Sequence, residues 1–159
     1  MNAGDAEPLM IYLDTSVVVA LLTPEERSAQ ALDWFGQSRD PLISSDWLIT
    51  ETHSALGIKQ RHHGLSSEAR QAAGEQFERL LQGGVELRSL DRGRFHQAAE
   101  LLQDPALGLR AGDALHLAVA LHSRCTRLAS FDGRMQQAAK TLGIGSVQAL
   151  GLDTDQKAA

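Results

Sequence analysis

Short apolar runs alternating with segments of helical spacing set the tightest limit on what this chain can fold into. The runs are MIYL (10–13), PLISS (41–45), VELRSL (85–90), TRLAS (126–130) and SVQAL (146–150). Each has the length of a strand rather than of a helix. Between them lie segments that read as helices, over about 16–22, 24–38, 47–60, 68–82, 92–103, 113–124 and 132–143. Strands separated by helices pair in parallel, because a parallel neighbour needs a crossover connection. The pattern predicts an α/β fold whose parallel sheet is covered by helices on both faces. Local signals mark the helix ends: Thr23 with Pro24, Asp46, Ser66 or Ser67, and Asp91 as caps, Gly64 as a break, and Gly83-Gly84 as a stop. DPALGLRAG (104–112) reads as a loop. The helix that follows is apolar almost all round, which places it centrally.

No repeat, low-complexity tract or linker divides the 159 residues, so one domain over 10–150 is expected, with a loose leader (1–9) and a polar tail (151–159). Met10 is an alternative start. The longest apolar run, Val17–Leu22, is far too short to span a bilayer, and the first residues carry neither a basic nor an apolar signal segment. These features predict a cytoplasmic protein. Cys125 is the sole cysteine, which excludes an intrachain disulfide and a thiolate zinc site and leaves a small core residue. The net charge of −5 counts against a broad basic face for nucleic acid. A compact acidic cluster that binds cations would, however, lower the net charge without making the whole surface repel phosphate.

Four carboxylates stand where apolar residues are expected. Asp14 follows the first strand directly, at the strand end where open α/β sheets build their sites. Its alternative is helix capping, although Thr15 and Ser16 offer oxygens for that purpose. Glu51 shares a helical face with Trp47, Leu48, Ala55 and Ile58, where an unpaired charge is expensive; its alternative is a salt bridge to Lys or Arg. Asp113 opens the central helix, where the dipole alone also favours an acid. Asp132, in LASFDGR, repeats the setting of Asp14, with capping as the alternative. His116, one turn after Asp113, reads as a satisfied core histidine, or else as a hydrogen-bond partner of the acids. Two carboxylates ~4 Å apart repel by about 4 kcal/mol at an effective dielectric near 20. A cluster of four therefore calls for a bound cation or for protonation. With oxygen ligands the cation is a hard one, Mg²⁺ or Mn²⁺, as one or two ions.

The segments IYLDTSVVVALL, ISSDWLITETHSAL, AGDALHLAVALHSR and LASFDGRM occur in that order. Together they resemble the PIN-domain nucleases, especially the VapC-type toxin ribonucleases of toxin–antitoxin pairs, over about residues 10–150. The resemblance implies a three-layer α/β/α sandwich and metal-dependent cleavage of single-stranded or loop RNA. It implies Asp14, Glu51, Asp113 and Asp132 as the acids, in that order. Thr15 or Ser16 matches a hydroxyl position beside the first acid, and Ser130 stands where relatives often carry Thr. It also implies a homodimer and a small antitoxin that covers the site; the helices 25–39 and 47–60, with Trp34, Phe35 and Trp47, are the expected docking region.

Phosphodiester hydrolysis needs an activated water and a neutralised phosphate, which bound metal supplies. Asp14 and Asp113 are the expected principal ligands, with Glu51 and Asp132 completing the shell or orienting water. Lys59, Arg61, Arg110 and Arg134 are the candidate RNA contacts. His62 and His63 fall in a loop, and no histidine pair has HExxH spacing. Three rival readings stand beside this one. A dehalogenase-type phosphatase needs an acid where Ser16 stands, and a receiver domain needs an acidic pair that is missing. A catalytically silent PIN-like scaffold needs no metal.

Overall fold

The computed structural model describes residues 9–151. The five apolar runs form one parallel sheet: β1 (Ile11–Leu13), β2 (Leu42–Ser45), β3 (Glu86–Arg88), β4 (Arg127–Ala129) and β5 (Gly145–Ser146), in the order β3-β2-β1-β4-β5. Tyr12 lies level with Ile43 on one side and Leu128 on the other. Alternation along β1 then splits the core. Ile11 and Leu13 pack with Val17, Ala31, Leu48 and Phe77, whereas Tyr12 packs with Ile43, Leu117, Leu128 and Met135.

The first set belongs to α1 (Thr15–Leu22), α2 (Ser28–Gln37), α3 (Trp47–His62) and α4 (Ser67–Gly83). The second belongs to α6 (Ala111–His122) and α7 (Gly133–Thr141), with α5 (Arg92–Leu102) packed on α6 through Ala98. This is the expected three-layer α/β/α arrangement. The chain winds outward from β1 to β3 and then returns to β4, so the strand order reverses between β1 and β4. A crevice opens at the carboxyl ends of the strands at such a reversal. The central helix is α6, whose residues from Ala114 to Ala120 are all buried.

Several local expectations change. Thr23 does not cap the second helix: its hydroxyl donates to the Val19 carbonyl at 2.9 Å and closes α1. The Ser28 hydroxyl accepts from the Glu25 amide and donates to the Thr23 carbonyl, each at 2.8 Å, so residues 23–27 form a turn and α2 begins at Ser28. Asp46 precedes α3 but has helical backbone angles and gives no side-chain cap. Ser66 and Asp91 do cap, accepting from the amides of Ala69 and Arg94. The loop at 104–112 contains a 3-10 turn, Pro105–Leu107, closed by Gly108 at φ 62. The last strand stops at Ser146. Val147 still donates to Leu128 at 3.0 Å, and a 3-10 turn then drops Leu150 into the core.

Cys125 is a core residue whose thiol burial pushes up to about 12. Among the described residues no helix is long and apolar enough to cross a membrane. Residues 1–8 of the expected leader and 152–159 of the tail lie outside the described residues.

Candidate active site

β1 ends at Leu13, and the next residue, Asp14, is held at the crevice. Its amide donates to Ala129 on β4 at 2.9 Å, which ties the two strand ends together. The side chain is 5% exposed and does not cap α1. Instead its Oδ2 accepts from the hydroxyls of Ser16 and Ser130, each at 2.7 Å. Both serines are themselves positioned: Ser16 Oγ accepts from the Phe131 amide at 2.9 Å and Ser130 Oγ from the Asp132 amide at 3.0 Å. Among the described residues Oδ1 has no donor within hydrogen-bond range, and His116 Nε2 lies 3.9 Å away. One oxygen of Asp14 is thus saturated while the other stays available.

Among the described residues, no lysine or arginine lies within 4.0 Å of the Glu51 carboxylate. The Trp47 indole, one helical turn before it, donates to Oε2 at 2.9 Å, and His116 Nε2 lies 2.9 Å from Oε1. Burial alone would raise this carboxyl. The hydrogen bond and charge of His116, with Thr15 and Trp47, outweigh that and hold it below its usual range. His116 is fully buried, and its Nδ1 lies 2.6 Å from the Tyr12 hydroxyl. Burial pushes the Tyr12 phenol well up, so it remains a donor. The Glu51 carboxylate can only accept, so His116 Nε2 carries a proton and donates to it. His116 is therefore both a satisfied core histidine and a partner of the acids, two readings that had been set against each other.

The pair Trp47–Glu51 needs room that only glycine leaves. A Cβ on Gly112 would sit 2.8 Å from both Glu51 Oε2 and Trp47 Nε1. This glycine directly precedes Asp113, which faces the same space from the first turn of α6. Burial raises the Asp113 carboxyl, and the charges of Asp132, Asp14 and Glu51 add to the rise. Asp132 does cap its helix, its Oδ1 accepting from the amides of Arg134 and Met135 at 2.9 and 3.3 Å.

All four acids line one cleft of about 520 Å³, with Thr15 and Ser16. The compact set able to hold a metal ion is Asp14, Glu51 and His116, whose ligand atoms lie within 4.8 Å of one another. Asp113 and Asp132 share the cleft but stand outside that set, and His116, which an all-oxygen site did not anticipate, would have to give up the Nε2 proton it donates to Glu51 before it could serve as a ligand.

The expected cations divide. Lys59 lines the cleft but is paired with Glu25 at 2.6 Å. Arg110 and Arg134 line an adjoining hollow with Asp113 and Asp132. Arg61 borders neither hollow; its guanidinium lies against Gly57 on α3. Sequence reasoning missed Tyr12, Gly112 and Arg27, the last of which enters the cleft with its guanidinium 4.6 Å from the Phe131 ring centre. It also assigned Trp47 to a docking face, although the indole serves Glu51. Trp34 is buried and Phe35 packs half-buried against the core. The i, i+4 spacing of Trp47 with Glu51 and the i, i+3 spacing of Asp113 with His116 were the readable signals.

Residues 11–141 match the family model of the PIN domain. Ribonuclease VapC46 of Mycobacterium tuberculosis is 34% identical over 139 residues, spanning 86% of this chain and 95% of that protein. The crystal structure of M. tuberculosis VapC20, described as a sarcin-ricin loop cleaving toxin, shares the fold with a TM-score of 0.67 at 21% identity, over 80% of this chain and 94% of that one. FitAcB from Neisseria gonorrhoeae does so with a TM-score of 0.65 at 18% identity, over 90% and 100%. The chain belongs to the PIN domain family and is a homologue of the VapC ribonucleases.

Proposed function

We propose that this protein is a metal-dependent endoribonuclease, the toxin of a toxin–antitoxin pair, with residues 10–150 as its nuclease domain. The observation that carries the reading is the setting of Asp14: a nearly buried carboxylate with one oxygen satisfied by two serines and the other left open among three further acids. Two serine hydroxyls spent on one carboxylate oxygen, at a helix start left without a side-chain cap, suit a ligand rather than a structural group.

The donor set fits a hard divalent cation, Mg²⁺ or Mn²⁺, as one or two ions. Carboxylate oxygens predominate, and the raised carboxyl of Asp113 marks repulsion that a cation would relieve. Asp14 and Asp113 are the principal ligands, and Glu51 and Asp132 complete the shell or orient water. Bound metal supplies a lowered pKa for the attacking water and neutralises charge on the scissile phosphate. The rest is the chain's work. Ser16 and Ser130 fix the plane of Asp14. Trp47 and His116 grip both oxygens of Glu51, and Tyr12 fixes the His116 tautomer. Asp132 is pinned by the start of α7. Arg110 and Arg134 sit where RNA phosphates leave the cleft. A homodimer and a small antitoxin that covers the cleft complete the proposal.

The test is to incubate the protein with total RNA and Mg²⁺ or Mn²⁺ beside an Asp14→Asn control and to map the ends. Discrete cuts bearing 5′-phosphate and 3′-hydroxyl, lost in the variant and with chelator, are expected. Equal cutting by both proteins contradicts the site, and cyclic-phosphate ends contradict attack by water. A silent scaffold would cut nothing.

A further inference from the structure

The cleft is strongly acidic, yet one of its cations is not spent on an acid. Five carboxylates line it, Asp14, Glu25, Glu51, Asp113 and Asp132, against the cations Arg27 and Lys59. Lys59 is taken by Glu25. Arg27, among the described residues, has no carboxylate within 4.0 Å; its guanidinium lies instead on the ring of Phe131, 4.6 Å from the centre. Both members are held. Arg27 Nε donates to Gln30 Oε1 at 2.9 Å, which orients the guanidinium from α2. Phe131 packs half-buried on the core, and its amide is fixed by Ser16, the same hydroxyl that donates to Asp14. The ring therefore sits in the chain between Ser130, which holds Asp14, and Asp132, which lines the cleft.

We propose that the Arg27–Phe131 stack is a platform for a nucleobase of single-stranded RNA, seating a nucleotide beside the cleaved phosphate. A guanidinium with one face on a ring offers its other face to a base and its edge to the phosphate or sugar. Stacking on such a plane accepts every base and demands an unpaired one, which selects single-stranded or looped substrate without reading sequence. A lysine would supply the charge but not the plane. The inference rests on the ribonuclease reading.

The test uses the full chain with Asp14→Asn, so that the RNA stays intact, and a labelled RNA carrying one abasic nucleotide at successive positions. One position near the cut site is expected to weaken binding about tenfold to a hundredfold, the range for loss of one stacked base. Adding Arg27→Lys or Phe131→Leu removes that dependence: the abasic and intact RNAs then bind alike. In the otherwise native chain the same two substitutions raise KM while leaving kcat and Mn²⁺ uptake nearly unchanged. An abasic profile that is flat without the substitutions, or identical with and without them, overturns the platform. If the native chain cuts no RNA while the abasic profile is as described, the nuclease reading fails and the platform stands.

Discussion

Strands β1 and β4 lie side by side, and each delivers an aspartate to the same cleft at its carboxyl end. The two carboxylates are nevertheless held by different donors. Asp132 turns back to its own helix and accepts from two amides of α7. Asp14 leaves α1 without a side-chain cap and is held by two serines, one from each strand end. Each arrangement saturates one oxygen and, among the described residues, leaves the other without a donor, but the donors on Asp132 are the amides of the helix it caps, whereas those on Asp14 are hydroxyls recruited from two strand ends. Asp132 thus holds the start of α7 while it faces the cleft, whereas Asp14 holds no helix end and its setting serves the cleft alone.

The largest effect expected from breaking this difference is at Asp14. Asp14→Asn keeps an oxygen for the serines and removes the charge, so the fold persists and RNA cleavage falls to background in a gel assay. Next come the props. Ser16→Ala with Ser130→Ala frees Asp14 to rotate, and metal affinity or activity drops about ten- to a hundredfold, the usual scale for residues that orient a ligand. A titration of activity against Mn²⁺ reads it.

Asp132 responds differently. Asp132→Ala loses the α7 cap and about 1 kcal/mol of stability, whereas Asp132→Asn retains the cap. Denaturant unfolding separates the two. Equal loss of stability in both would show that the charge, not the cap, matters there.

A second contrast, between Glu51 and Asp113, gives the smallest effects, and they are pH-dependent. Hydrogen-bond donors hold the folded carboxyl of Glu51 below its ordinary 4.5, so its stabilisation is complete above that value and is lost as pH falls through the folded pKa. Asp113 is raised above its ordinary 3.8, by burial first and then by its acidic neighbours. Its folded form binds the proton more tightly, so it lowers stability as pH rises from 3.8 through the folded pKa, and the penalty is full above it. Metal-free Asp113→Asn is therefore expected to melt a few degrees above the parent at about pH 7. That gain should vanish near pH 3.5, and Glu51→Gln should melt lower at pH 7. Thermal scans at the two pH values check both signs.

Much of this was legible in the chain because it is local or periodic. The alternation of apolar runs and helices foretold the parallel sheet. The four acids stood out because each interrupts an apolar context. What stayed hidden depends on contacts between distant segments. Tyr12 reaches His116 across 104 residues, and no spacing rule links them. Arg27 meets Phe131 only because residues 23–27 form a turn, which the Thr23-Pro24-Glu25-Glu26 signal had assigned to a helix. Asp46 departs from its local signal through a distant contact too. It stands where a cap should, but its backbone is already helical and its amide is drawn to the Arg88 carbonyl on β3. Gly112 was readable as a glycine beside an acid, but its purpose depends on Trp47 and Glu51 arriving from another helix.

The central claim is that folding gathers these acids into one seat for a divalent cation. Mn²⁺ uptake followed by electron paramagnetic resonance, on the native chain and on Asp14→Asn, tests it most directly. The account predicts saturable binding of one or two ions by the native chain and none at the same concentrations by the variant. Equal uptake by both, or none by the native chain, would contradict it.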